Sequence, residues 1–173
     1  MGDKRDAQSV NTETFVELQR FFSEEAVLLD NLEYEEWFAF LTRDITYRIS
    51  TRLIRDREDG AQNFEIVDED YEHLKLRVAQ LANPKLTRAE NPASLYRRFI
   101  SNVRAFHGHD RDTFLVHTYL LVYKNRISNT QVALYSAERR DVLNREGSRL
   151  KISKRHVFLD QSVLVDGTLS TIL

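Results

Sequence analysis

The sequence predicts an α+β cone in which N-terminal helices pack on a long, curved antiparallel sheet. Three observations predict it. Apolar residues recur at helical spacing near the start, four long strand-like runs follow one another in the second half, and the run from Thr113 is apolar on both faces.

The elements follow in order. A Thr-x-x-Glu pattern at Thr14 to Glu17 reads as a capping box, and Phe15, Leu18, Phe22, Ala26 and Leu29 form the apolar face of the helix it opens. Asp30 and Asn31 are placed to stop that helix and cap a shorter one, on which Tyr34, Trp37, Phe38 and Leu41 recur at three- and four-residue steps. From Ile45 to Ile54 the pattern alternates, with Ile45, Tyr47, Ile49, Thr51 and Leu53 on one side, as a half-buried strand requires. The polar run Arg55 to Asn63, centred on Gly60, reads as a mobile loop. Asp68, Glu69 and Asp70 suit the start of a third helix with the face Tyr71, Leu74, Val78 and Leu81, ended by Asn83-Pro84. A second loop through Asn91-Pro92 leads to strands at about Arg98 to Phe106, Thr113 to Arg126, Gln131 to Leu143 and Arg149 to Asp160. Turn signals at Gly108-His109-Asp110, Ser128-Asn129-Thr130 and Asn144 to Gly147 are short enough for hairpins, so the four strands form a meander. A strand apolar on both parities is covered twice: by helices on one face, by another subunit on the other.

Residues 1–13 are expected to be a flexible tail and residues 14–173 a single domain. A chain of 173 residues buries about 70% of its unfolded surface, enough for one core without a metal or disulfide staple. Zero Cys removes disulfides, a Cys nucleophile, thiolate zinc and Cys-ligated iron–sulfur clusters from this chain. Met1 to Val10 is charged and lacks an apolar stretch, and no segment approaches the length of a membrane span, so a cytoplasmic protein without membrane contact is expected. Charge is uneven: residues 1–90 hold 12 Lys/Arg against 20 Asp/Glu, and residues 91–173 hold 13 against 7. The halves can neutralise each other within one fold or between neighbours in a head-to-tail ring. The basic residues are scattered among strands without a Gly-rich loop or an aromatic recognition sheet, so no nucleic-acid partner is expected.

Few side chains present themselves for chemistry. His107, His109 and Asp110 have a spacing that can ligate metal at a strand end, but the spacing alone is a weak signal and a Gly/Asp/His hairpin turn explains the same residues without a metal, which is the preferred reading. His117 and His156 lie inside strands, where packing and hydrogen bonding account for them, and His73 sits on an acidic helix. There is no Gly-x-Ser-x-Gly elbow, P-loop or dinucleotide fingerprint. One enzymatic constellation survives: Trp37, Asp44 and Tyr47 facing a pocket inside the cone, with Asp44 as a proton-transfer base. The preferred reading is structural, with Asp44 a turn or salt-bridge residue between helix and strand and Trp37 part of the core. The basic pairs Arg97-Arg98, Arg139-Arg140 and Lys154-Arg155 read as solvated edge charge or as anchors to carboxylates of a partner.

Particular strings go further. Glu24-Glu25-Ala26 to Asp30, Tyr34-Glu35-Glu36-Trp37-Phe38, Asp44-Ile45-Thr46-Tyr47, Glu90-Asn91-Pro92-Ala93-Ser94, Ile100-Ser101-Asn102-Val103, Tyr123-Lys124-Asn125-Arg126, Ala137 to Leu143, Lys154-Arg155, Leu159-Asp160 and Leu169-Ser170 together cover the chain from about Thr14 to Leu173. In these the sequence resembles the small (beta) subunit of the Rieske-type aromatic-ring-hydroxylating dioxygenases. It departs at Leu95 and Arg98, where many relatives carry Arg and His.

The resemblance implies a cystatin-like cone, also used by ketosteroid isomerases, and a hexamer of three large and three small subunits. It implies that the catalytic large subunit carries a Rieske [2Fe–2S] cluster held by two Cys and two His, and a mononuclear iron held by two His and a carboxylate. This chain would then hold no cofactor, metal ligand or catalytic residue and would form the trimeric base of the assembly. The expected contact surface is the apolar run from Phe114 to Tyr123 with Val132, Leu134 and Tyr135. Arg97, Arg98, Asn102, Arg139, Arg140, Lys154 and Arg155 are the polar interface candidates, which fix register more than they add stability. The competing reading is a stand-alone isomerase or dehydratase using the Asp44/Tyr47 pocket; it requires an open pocket with Asp44 inside.

Overall fold

Asn11 starts the first helix. In the computed structural model, which describes residues 8–52, 63–83, 93–126, 132–161 and 171–173, α1 (Thr12–Asp30) is capped by the Asn11 side chain, which accepts from the Thr14 N–H at 2.8 Å. The helix therefore begins two residues before Thr14, and Ser9 bridges to Phe106, so the expected 1–13 tail is shortened from its C-terminal side. Residues 1–7 of that tail lie outside the described residues. At the other end the Leu32 and Glu33 amides donate to the Leu29 and Leu28 carbonyls at 3.3 and 2.9 Å. This double closure needs a left-handed residue, and Leu32 takes it at φ 64° where glycine is usual. α2 (Tyr34–Phe38) follows, with Tyr34 and Trp37 buried and no side-chain cap, so Asn31 does not serve it.

Leu41, expected on α2, opens β1 (Leu41–Arg52), which starts four residues before Ile45. Its inward side chains Ile45, Tyr47 and Ile49 are buried as the alternation requires. A second strand, β2 (Asn63–Glu69), stands where the end of a loop and the start of a helix were expected. The loop expected at Arg55 to Asn63 otherwise lies outside the described residues, as do the segments with Asn91-Pro92 and Ser128-Asn129-Thr130. Of the three acids read as a helix start, Asp68 and Glu69 end β2, and only Asp70 caps α3 (Tyr71–Ala82), accepting from the His73 N–H at 3.0 Å.

β3 (Leu95–His107), β4 (Thr113–Asn125), β5 (Val132–Glu146) and β6 (Arg149–Leu159) form the expected antiparallel meander. β5 runs through Glu146, so the expected Asn144–Gly147 turn narrows to Gly147-Ser148, where Gly147 has φ 62°. The sheet has six strands in the order β2-β1-β6-β5-β4-β3, and the first long strand pairs in parallel with the last. α1 packs across β3 while α2 and α3 close the β1 side. Between them lies one core that includes Leu18, Phe22, Trp37, Tyr47, Tyr96, Val122, Tyr135 and Leu173.

Candidate subunit interface and buried charge cluster

The faces of β3 to β5 differ sharply. Phe114, Val116, Leu120 and Val122 of β4 and Tyr135 of β5 point into the core. The opposite parity is left open: Phe99 is 58% exposed, Leu95 48%, Leu134 47%, Tyr119 46%, Val132 43% and Leu121 41%. Register makes these side chains neighbours, because Phe99 faces Leu121, Tyr123 faces Leu134, and Asn125 stands between Leu95 and Val132. Isolated apolar side chains are ordinary on a surface, but a continuous apolar patch marks a docking face. Of the residues expected on the contact surface, Phe114, Val116, Leu120, Val122 and Tyr135 belong to the core, and the outward apolar set is Tyr119, Leu121, Tyr123, Val132 and Leu134 with Leu95 and Phe99 from β3.

Strand alternation also divides each basic pair, sending one cation out and its neighbour in. Arg97 is exposed beside the apolar patch, and Asn102 is exposed at a bulge in β3, with φ 50°. Arg140 is exposed, pairs with Glu138 at 2.9 Å and lies 4.7 Å over the Phe158 ring. Lys154 is exposed. Arg98, Arg139 and Arg155, three of the seven polar interface candidates, instead face the interior. The reason is that their inward parity meets acidic side chains from α1 and β5.

Arg98 binds Asp30 at 2.8 Å and donates to Thr171 Oγ1 and the Ile172 carbonyl, each at 2.8 Å. Deeper, Arg155 makes a two-pronged contact to Asp141 at 2.9 and 3.0 Å, and its terminal nitrogens grip both oxygens of Glu25. Arg139 donates to Glu25 at 3.3 Å and to Thr118 Oγ1 at 3.2 Å, and Trp37 Nε1 donates to Glu25 at 3.0 Å. Two carboxylates and two guanidiniums, all essentially inaccessible to water, thus balance in charge. Burial pushes the Glu25 carboxyl upward, but the charges of Arg155 and Arg139 and the bonds from Arg155 and Trp37 outweigh it and hold it at about 2. For Arg155, burial is likewise outweighed by Asp141 and Glu25, so its proton is held more tightly than usual. Glu25 was missed in the sequence, although a carboxylate three residues after Phe22 and next to Ala26 falls on the apolar face of α1.

The Trp37–Asp44–Tyr47 constellation is not assembled. Trp37 and Tyr47 are buried, whereas Asp44 is exposed on the other parity of β1. The Tyr47 hydroxyl is engaged with the backbone of Leu173, donating to its carbonyl and accepting from its N–H, both at 3.0 Å. Burial raises the pKa of that phenol. A groove of about 390 Å³ exists elsewhere, between α1 and the β5–β6 hairpin, lined by residues including Glu17, Arg20, Phe40 and Arg149. The histidines are used structurally: His109 pairs with Asp110 and His73 with Asp70, His107 and His117 pack on Phe114 and Phe106, and His156 meets Ser50 Oγ at 2.7 Å. Among the described residues no group of three or more His, Asp or Glu is arranged to hold a metal ion.

The family model for the ring-hydroxylating beta subunit matches residues 24–166. The chain belongs to the ring-hydroxylating dioxygenase beta-subunit family. This beta subunit is 32% identical over 162 residues to the biphenyl 2,3-dioxygenase subunit beta of Rhodococcus jostii, covering 89% of this chain and 86% of that one. The benzene 1,2-dioxygenase subunit beta of Pseudomonas putida shows the same identity and coverage. In fold it matches naphthalene 1,2-dioxygenase with a TM-score of 0.84 at 24% identity, over 95% of this chain and 88% of that one. It also matches the benzoate 1,2-dioxygenase beta subunit of Burkholderia mallei, at 0.69 and 18%, over 93% and 99%. As a beta subunit of an aromatic-ring-hydroxylating dioxygenase, the chain has a large subunit as its partner. The stand-alone isomerase or dehydratase reading is not favoured.

Proposed function

We propose that this chain is the non-catalytic base of a three-plus-three dioxygenase hexamer in the cytoplasm, working in the breakdown of aromatic compounds of the benzene and biphenyl class. It self-associates as a trimer and seats the large subunits, which carry the Rieske [2Fe–2S] cluster and the mononuclear iron. Among the described residues none fits either group: the chain has no Cys, and the two buried carboxylates, Glu25 and Asp141, are saturated by Arg139 and Arg155. The observation that carries the proposal is the exposed apolar outer face of β3 to β5, with the exposed Arg97 set opposite Tyr123 within it and Asn102, Arg140 and Lys154 exposed around it. Burying that face supplies association energy through the hydrophobic effect, and the charged rim selects partner and register.

The test is co-expression with the large subunit encoded beside it, followed by mass analysis and oxygen uptake with benzene and biphenyl. A heterohexamer active only when both chains are present is expected. A stable monomer with no affinity for its large subunit overturns the proposal.

A further inference from the structure

We propose that the buried site formed by Tyr47, Arg98 and Arg155 is a binding site for a short apolar peptide, filled in this chain by its own Thr171-Ile172-Leu173. All three residues are at most 2% exposed, and Ile172 and Leu173 belong to the central core. Their backbone is read as a bound ligand's would be. The Tyr47 hydroxyl takes both the N–H and the carbonyl of Leu173, and Arg98 takes the Ile172 carbonyl and the Thr171 hydroxyl. Arg155, at 3.5 Å from the Leu173 carbonyl, adds positive charge on the same side. These receptor groups come from β1, β3 and β6 and are anchored independently of the tripeptide, Arg98 by Asp30 and Arg155 by Asp141. A pre-positioned receptor of this kind binds with little ordering cost of its own. Within the same buried cluster, Arg139 Nη2 has no hydrogen-bond partner among the described residues, so donor capacity remains for an acceptor-rich ligand. The ligand class is therefore a branched apolar peptide presenting backbone acceptors to a cationic, phenol-lined site. The proposal does not depend on which partner covers the outer face of the sheet.

The test removes residues 171–173 from the otherwise full chain, co-expressed with its large subunit, and offers N-acetyl-Thr-Ile-Leu in trans. The shortened protein is expected to melt about 10 °C lower and to recover part of that loss saturably with the peptide, while N-acetyl-Thr-Asp-Asp has no effect. Adding Tyr47→Phe is expected to weaken the peptide about ten- to a hundredfold, the effect of losing both hydrogen bonds to the Leu173 backbone. An unchanged melting temperature, or a folded shortened protein indifferent to the peptide, overturns the proposal. If the shortened protein does not fold, hydrogen exchange on the intact chain decides. Protection of the Leu173 amide that Tyr47→Phe abolishes supports the site, and exchange at the free-chain rate in the intact chain refutes it.

Discussion

Replacing Glu25 by Gln leaves the shape of the interior almost unchanged and alters one charge. Gln keeps an acceptor for Trp37 Nε1, but Arg139 and Arg155 then face Asp141 alone, and one guanidinium is buried without a counter-charge. Breaking a buried ion pair from one side costs about 3–5 kcal/mol. Titration leads to a similar figure: the drop of the Glu25 carboxyl from 4.5 to about 2 corresponds to about 3 kcal/mol of folding stability. Because the folded value lies below the unfolded one, that contribution is complete above pH 4.5 and disappears as pH falls from 4.5 towards 2. Urea unfolding of Glu25→Gln at pH 7 is therefore expected to show a loss of about 3–5 kcal/mol, or roughly 10 °C in melting temperature. Between pH 4.5 and 2 the wild-type curve should fall towards that of the variant. A loss below about 1 kcal/mol at pH 7, the range of an exposed pair, refutes the reasoning, and so do parallel acid limbs.

On the outer face, Leu121→Asp is expected to abolish assembly with other subunits in size analysis while changing the unfolding energy of the isolated chain by no more than about 0.5 kcal/mol, as for other surface substitutions. Arg98→Met removes the partner of Asp30 and two bonds to the 171–173 segment; thermal unfolding should report a loss of about 2–4 kcal/mol. Asp44→Asn alters an exposed side chain and should leave stability within about 0.5 kcal/mol and oxygen uptake by the assembled enzyme unchanged. A large loss of uptake would return attention to the isomerase-like constellation.

The helix faces and the meander were legible because both are written as periodicities, and Leu74, Val78 and the inward side of β1 fall where those periodicities place them. β2 was not: Val67 is the inward residue that the described part of the strand buries, and the run of acids after it imitates a helix start. The exposed apolar face was legible as a doubly apolar strand, but which parity is the outer one depends on where α1 crosses the sheet. The basic pairs were misread for the same reason. Adjacent cations in a strand cannot share an environment, and Arg98, Arg139 and Arg155 went inward because their parity matched that of the core. What identifies their destination is long-range: Glu25 and Arg155 are 130 residues apart in sequence, so no local window contains both members of the pair.

The parallel seam between β1 and β6 has a temporal consequence. Ser50 meets His156 across that seam at a separation of 106 residues, so the strand made early in synthesis has one edge without its neighbour until nearly the whole chain has left the ribosome. The meander of β3 to β6 is built from nearest-neighbour hairpins and can form first, whereas docking of the N-terminal half must await it. A nascent chain halted before Arg149 would present an unpaired β1 edge.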